Sequence, residues 1–128
     1  KPFHLSELNA RVLSIVRRRQ RDGDDILTFN EIEVNTGSQE VRVNSERIKL
    51  TKKEYELLLF LITNANRVVT KQSISDHIWG DFVEHTDSFD FIYSHLKNLR
   101  KKIVEKGGED YVKTIYGIGY KFSADEIT

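Results

Sequence analysis

The stretch from Ser88 to Lys106, SFDFIYSHLKNLRKKIVEK, constrains this chain more than any other. Phe89, Ile92, Leu96, Leu99 and Ile103 recur at spacings of three, four, three and four, which on a 3.6-residue helix makes one continuous apolar stripe. A stripe of this kind has to be buried, so the helix must lie on a core built by the rest of the chain. Its opposite face collects Asp90, Phe91, Ser94, Asn98 and Lys101, with Lys97 on one flank and His95 and Lys102 on the other. Amide, hydroxyl, imidazole and ammonium groups on one face are the inventory that reads base edges and holds phosphates. An ordinary solvated helix face is also rich in Lys and Asn. The neighbours of the helix therefore decide between the two readings.

At 128 residues, with 38% apolar and 31% charged side chains, the chain is globular and long enough for one domain plus an appended element. It holds no run of 18 apolar residues and no basic start followed by a short apolar core, so neither a transmembrane helix nor a signal peptide is expected, and a cytoplasmic setting is the default. The absence of Cys rules out disulfides and thiolate metal sites, and His4, His77, His85 and His95 lack ligand-type spacing, so no metal or cofactor is expected. With no Met and a start at Lys1, the chain reads as a piece of a longer protein. Its formal net charge is zero, but residues 88 to 121 carry seven basic and four acidic side chains against seven and ten in residues 28 to 87. The polar helix thus sits in the segment whose charge suits phosphate.

Residues 1 to 21 read as a helix, because Leu5, Leu8, Val12, Ile15 and Val16 keep helical spacing and the basic run Arg17 to Arg21 suits the negative end of a helix dipole. Asp22-Gly23-Asp24-Asp25 breaks it, and residues 22 to 26 read as a linker. Leu27, Phe29, Ile32, Val34, Val41, Val43, Ile48 and Leu50 then alternate with polar residues around turns at Asn35 to Ser38 and Asn44 to Glu46, predicting an antiparallel sheet of three or four strands. Thr51-Lys52-Lys53-Glu54 is a capping box that opens a nearly all-apolar core helix ending near Asn64 to Asn66. Arg67-Val68-Val69 is a short extended piece, and Thr70 caps a further helix stopped by Gly80. Tyr111 to Phe122 alternates, turns at Tyr116-Gly117-Ile118-Gly119 and returns, so it reads as a hairpin whose two glycines supply positive φ. Residues 124 to 128 read as a tail.

Sheet, three helices and hairpin in this order resemble the winged-helix effector domain of OmpR/PhoB-type response regulators. The resemblance covers about Asp25 to Phe122 and rests on Ile48-Lys49-Leu50-Thr51 with Glu54 and Leu57-Leu58, on Ile78-Trp79-Gly80, on His95-Leu96 with Leu99-Arg100-Lys101-Lys102, and on Thr114 with Gly117 to Phe122. Lys1-Pro2-Phe3 before an amphipathic helix resembles the end of a receiver domain, whose absent remainder would cover the apolar face of residues 5 to 16. The resemblance implies an α+β winged helix-turn-helix fold over residues 27 to 123, preceded by one extra helix. It implies a bacterial, cytoplasmic transcription factor switched by phosphorylation of a receiver outside this chain, with a sensor kinase as partner.

In that family the third helix enters the major groove and the wing, residues 111 to 122 here, touches the adjacent minor groove or backbone. Carried over, Lys97 and Asn98 are base readers, Trp79, His95, Arg100, Tyr120 and Lys121 are phosphate or sugar contacts, and Tyr93, Ser94, Lys101, Thr114 and Tyr116 join the DNA-binding set. Arg100 has an alternative in an ion pair with a residue such as Glu54. Loop 81 to 87 would face RNA polymerase, and two copies would sit head to tail on direct repeats while the free fragment is monomeric. The chain departs from the family pattern at Tyr93, where Asp is common, at Ser94 in place of Val, and at Tyr116 in place of a wing Arg. Packing of Phe91 against loop 81 to 87 is expected. The competing reading is a winged-helix protein-interaction module with a patch of Phe91, Tyr93 and Tyr116. An enzyme is not expected, since Asp76-His77 and His85-Asp87 stand without a nucleophile at a recognisable spacing.

Overall fold

The computed structural model describes residues 15–21, 24–80 and 90–124. Strands β1 (Arg17–Arg21), β2 (Asp24–Phe29), β3 (Ile32–Asn35), β4 (Glu40–Val43) and β5 (Glu46–Ile48) form an antiparallel five-stranded sheet in chain order. Alternation places Leu27, Phe29, Ile32, Val34, Val41, Val43 and Ile48 on its inner face, all buried. The sheet is one strand larger than expected. Arg17–Arg21 is not the end of a helix but an edge strand, paired with β2 in the register Arg18↔Leu27 and Gln20↔Asp25. Strand β2 starts at Asp24, inside the stretch read as a linker. The helix expected before Ile15 falls on residues outside those described.

Helix α1 (Lys52–Thr63) begins as expected: the Thr51 hydroxyl accepts from the Glu54 amide at 3.2 Å, and the Glu54 carboxylate accepts from the Thr51 amide at 3.0 Å. Leu57, Leu58, Leu61 and Ile62 are buried between the sheet and the other helices. Strand β6 (Val68–Thr70) leads into helix α2 (Lys71–Ile78), where the Thr70 hydroxyl accepts from the Ser73 amide, and Gly80 follows at φ +56°. Helix α3 (Asp90–Glu105) buries Ile92, Leu96, Leu99 and Ile103 of the expected apolar stripe, whose first member, Phe89, lies outside the described residues.

Strands β7 (Val112–Ile115) and β8 (Gly119–Phe122) make the hairpin. It does not stand alone, since β6 pairs along the other edge of β8 to give the order β6-β8-β7. The hairpin is also tied to the first sheet: the Tyr111 hydroxyl donates to Glu31 at 2.5 Å, and Glu31 accepts the Glu109 amide at 2.6 Å. Burial together with the Glu31 carboxylate pushes the Tyr111 hydroxyl up to about 12. Phe29, Tyr111 and Phe122 meet edge to face at the junction, with ring centroids 4.9 and 5.0 Å from Phe29. The result is the α+β winged-helix arrangement, with a sheet, three helices and a closing hairpin.

Candidate nucleic-acid interface

The buried stripe fixes which side of α3 faces out, and two ion pairs fix the helix further. Lys102 reaches under the helix to Glu54, with Nζ 2.6 Å from Oε1, while Glu54 is only 3% exposed. Burial pushes the Glu54 carboxyl up, but the Lys102 hydrogen bond, the Thr51 amide and the charges of Lys102 and His95 outweigh it and hold the group below its ordinary value. Arg100 turns the other way and forks onto Asp110: Nε lies 3.1 and 3.0 Å from the two carboxylate oxygens and Nη2 lies 2.7 Å from one of them. Of the two roles open to Arg100, the structure therefore displays an ion pair, with Asp110 rather than Glu54 as partner. No periodicity in the sequence marks Asp110, which belongs to the loop entering the hairpin.

Between these anchors, Ser94, Lys97, Asn98 and Lys101 are exposed and make no hydrogen bond or ion pair with a described residue. The four form one polar face, free to meet a ligand. Tyr93 flanks it at 57% exposure. A crevice of about 390 Å³ runs along that flank, lined by Tyr93, Lys97, Arg100, Lys101, Val104 and Asp110.

On the opposite flank aromatic side chains pack together. Trp79, at the end of α2, stands edge to face with Phe91 at 4.7 Å and with His95 at 5.2 Å. His95 Nδ1 lies 2.7 Å from the Phe91 carbonyl, so that nitrogen carries the hydrogen of the bond. Lys53, which the sequence reading did not single out, donates to the Ile78 carbonyl at 2.8 Å with its ammonium 5.6 Å from the Trp79 ring centroid. Phe91 thus has a packing partner in Trp79; its expected contact, loop 81 to 87, lies outside the described residues.

On the wing, Thr114 is exposed and Tyr116 is 97% exposed at the tip, with Ile118 at 52% beside it. Lys121 is half-buried on β8 opposite Val68 and Lys113. Tyr120 differs from expectation: it is 5% exposed and belongs to the core, where burial raises its hydroxyl pKa. Alternation in Tyr120-Lys121-Phe122 places it on the same face as Phe122, so the period of the strand carries the signal that the family resemblance obscured. Of the acid–imidazole neighbours, Asp76 and His77 have separate partners, while His85 and Asp87 lie outside the described residues. The His77 ring stacks on Phe60 at 4.6 Å while Asp76 accepts from the Gln72 amide at 2.8 Å. Among the described residues no cluster of His, Cys, Asp or Glu could hold a metal ion, and no helix is long and apolar enough to cross a membrane.

Comparison with known proteins adds to this geometry. Residues 45–122 match the family described as "Transcriptional regulatory protein, C terminal". The response regulator ArlR of Staphylococcus haemolyticus is 36% identical over 121 residues, 94% of this chain and 53% of that protein. The response regulator DrrB, an OmpR/PhoB homologue of Thermotoga maritima, superposes with a TM-score of 0.64 at 34% identity, over 76% of this chain and 43% of that one. The DNA-binding domain of the response regulator AdeR, solved in complex with an intercistronic region, superposes with a TM-score of 0.65 at 26% identity, over 74% and 95% of the two chains. The chain spans about half the length of the curated relatives it matches.

Proposed function

Because this chain belongs to the C-terminal transcriptional regulatory domains of OmpR/PhoB-type response regulators, we propose that it binds duplex DNA sequence-specifically as the effector of a two-component regulator. Helix α3 enters the major groove, and the wing, residues 111 to 122, lies on the adjacent minor groove or backbone. The observation that carries this reading is the unpaired face of Ser94, Lys97, Asn98 and Lys101, on a helix whose other sides are held by the core, Glu54 and Asp110. Asn98 suits a two-point contact with adenine and Lys97 one with guanine. Lys101, His95 and Trp79 meet phosphate or sugar, as do Thr114, Tyr116 and Lys121 from the wing. Tyr116, with its apolar ring wholly exposed, stacks or touches sugar where a wing arginine would insert.

The partners follow from the same family. A receiver preceding β1 and phosphorylated by a sensor kinase controls the effector in the bacterial cytoplasm, loop 81 to 87 meets RNA polymerase, and two copies occupy direct repeats. Titration with specific and random duplexes at several salt concentrations tests the assignment. Asn98→Ala relaxes sequence preference, with a loss of about 1–3 kcal/mol confined to the specific duplex. Lys101→Ala weakens binding to every duplex and reduces the salt slope by about one unit. Equal losses on specific and random DNA for both variants contradict the assignment.

A further inference from the structure

Beside the polar face of α3 two large apolar side chains are exposed, Val104 near the end of the helix and, near its start, Tyr93. It is the fourth residue of α3 and 57% exposed. The N-terminal part of a recognition helix is the part that reaches base edges. At 100° per residue it stands about 40° around the helix from Lys97 and about 60° from the buried Leu96, so it lies at the border of the polar face, and its exposure shows that the ring emerges there. Its hydroxyl makes no hydrogen bond with a described residue. The other aromatics near α3 are committed: Trp79, Phe91 and His95 pack on one another and Tyr120 is buried. Arg100, in the same crevice, is drawn onto Asp110 through Nε and Nη2, so the Tyr93 ring lies beside a guanidinium already held by a carboxylate.

An exposed ring gains free energy by covering another apolar surface. The edges of the four base pairs in the major groove offer donors and acceptors, and one apolar group, the C5-methyl of thymine. We propose that Tyr93 is a specificity-determining residue that selects thymine by covering this methyl with its ring. The proposal rests on the DNA-binding reading above and adds the base that Tyr93 prefers.

The test begins with duplexes selected by the full chain from a random pool. Each thymine of the selected site is then replaced in turn by deoxyuridine, which removes the methyl and leaves every hydrogen-bonding group in place. Binding is followed by fluorescence anisotropy. Burying one methyl predicts that wild type binds about fourfold more weakly at one position when the methyl is lost. Tyr93→Phe keeps this loss, and Tyr93→Ala binds the two duplexes equally. Indifference of wild type to deoxyuridine at every position overturns the proposal, as does the same loss in Tyr93→Ala. A loss abolished by Tyr93→Phe assigns the residue to a hydroxyl contact and also overturns it. If the pool yields no preferred sequence, the failure is that of sequence-specific binding itself, visible before any thymine is replaced.

Discussion

Glu54 does two jobs with one oxygen. Its Oε1 accepts from the Thr51 amide at the start of α1 and from Lys102 on α3, so the helix carrying the polar face is fastened to the first turn of the core helix. An uncompensated carboxylate at 3% exposure would be costly, and the second hydrogen bond together with the Lys102 charge is what makes its burial tolerable. The folded-state pKa lies below the ordinary value. The stability the group brings is therefore present above the unfolded-state pKa, about 4.3, and is lost as pH falls through the lower folded-state pKa. Glu54→Gln keeps an acceptor for Thr51 and removes the charge that Lys102 needs, so it is expected to cost about 1–3 kcal/mol in urea unfolding at pH 7. The gap between wild type and variant should narrow as pH falls below about 4.3 and close only below the lower folded-state pKa, where the wild-type carboxyl is itself neutralised. A gap of the same size at both pH values would show that Lys102 contributes no charge stabilisation.

The wing shows how far a local pattern reaches at the scale of an element. The hairpin, its turn and its pair of glycines are legible in YVKTIYGIGYKF, because a period of two broken by glycines has few other solutions. The reasons for the two glycines are different, however, and only one of them is local. Gly117 has φ +79° and open space around it, whereas Gly119 is needed because a Cβ there would lie 2.0 Å from the Val69 carbonyl oxygen and 2.8 Å from the Thr70 Cα. That approach comes from β6, a strand of three residues that pairs with β8 some fifty residues later in the chain. Three residues are too few for an alternating pattern to announce a strand, so the pairing and the close approach stayed hidden in the sequence. Gly117→Ala is expected to cost about 1–2 kcal/mol, the left-handed backbone penalty alone. Gly119→Ala must separate β6 from β8 and is expected to cost about 3 kcal/mol or more. Thermal unfolding of the two variants compares them directly, and equal losses would mean that β6 yields freely.

For the whole molecule, the frame of sheet, helices and wing could be read because each element carries its own cap, period or turn. The polar face of α3 could be read because burial of the opposite stripe dictates it. What escaped was contact between elements: Arg100 with Asp110, β6 with β8 across some fifty residues, and above all β1 with β2, its neighbour in the chain. The basic run Arg17 to Arg21 has no apolar period, so its assignment to a helix rested only on the preference of cations for a helix C-terminus. Pairing across five residues overrides that preference, and Arg18 and Arg19 lie 3.7 and 3.5 Å from carboxylates of Asp25 and Glu33. Those exposed pairs are worth little singly, so the strand is held mainly by its backbone ladder and by Val16 packing on the core. This places a physical link between whatever precedes residue 15 and the sheet under α1. Amide hydrogen exchange distinguishes the two readings. An edge strand protects only the amides that point at its neighbour, every second residue of Arg17 to Arg21. A helix would protect consecutive amides there instead, and that pattern would return the run to a helical role and detach it from the sheet.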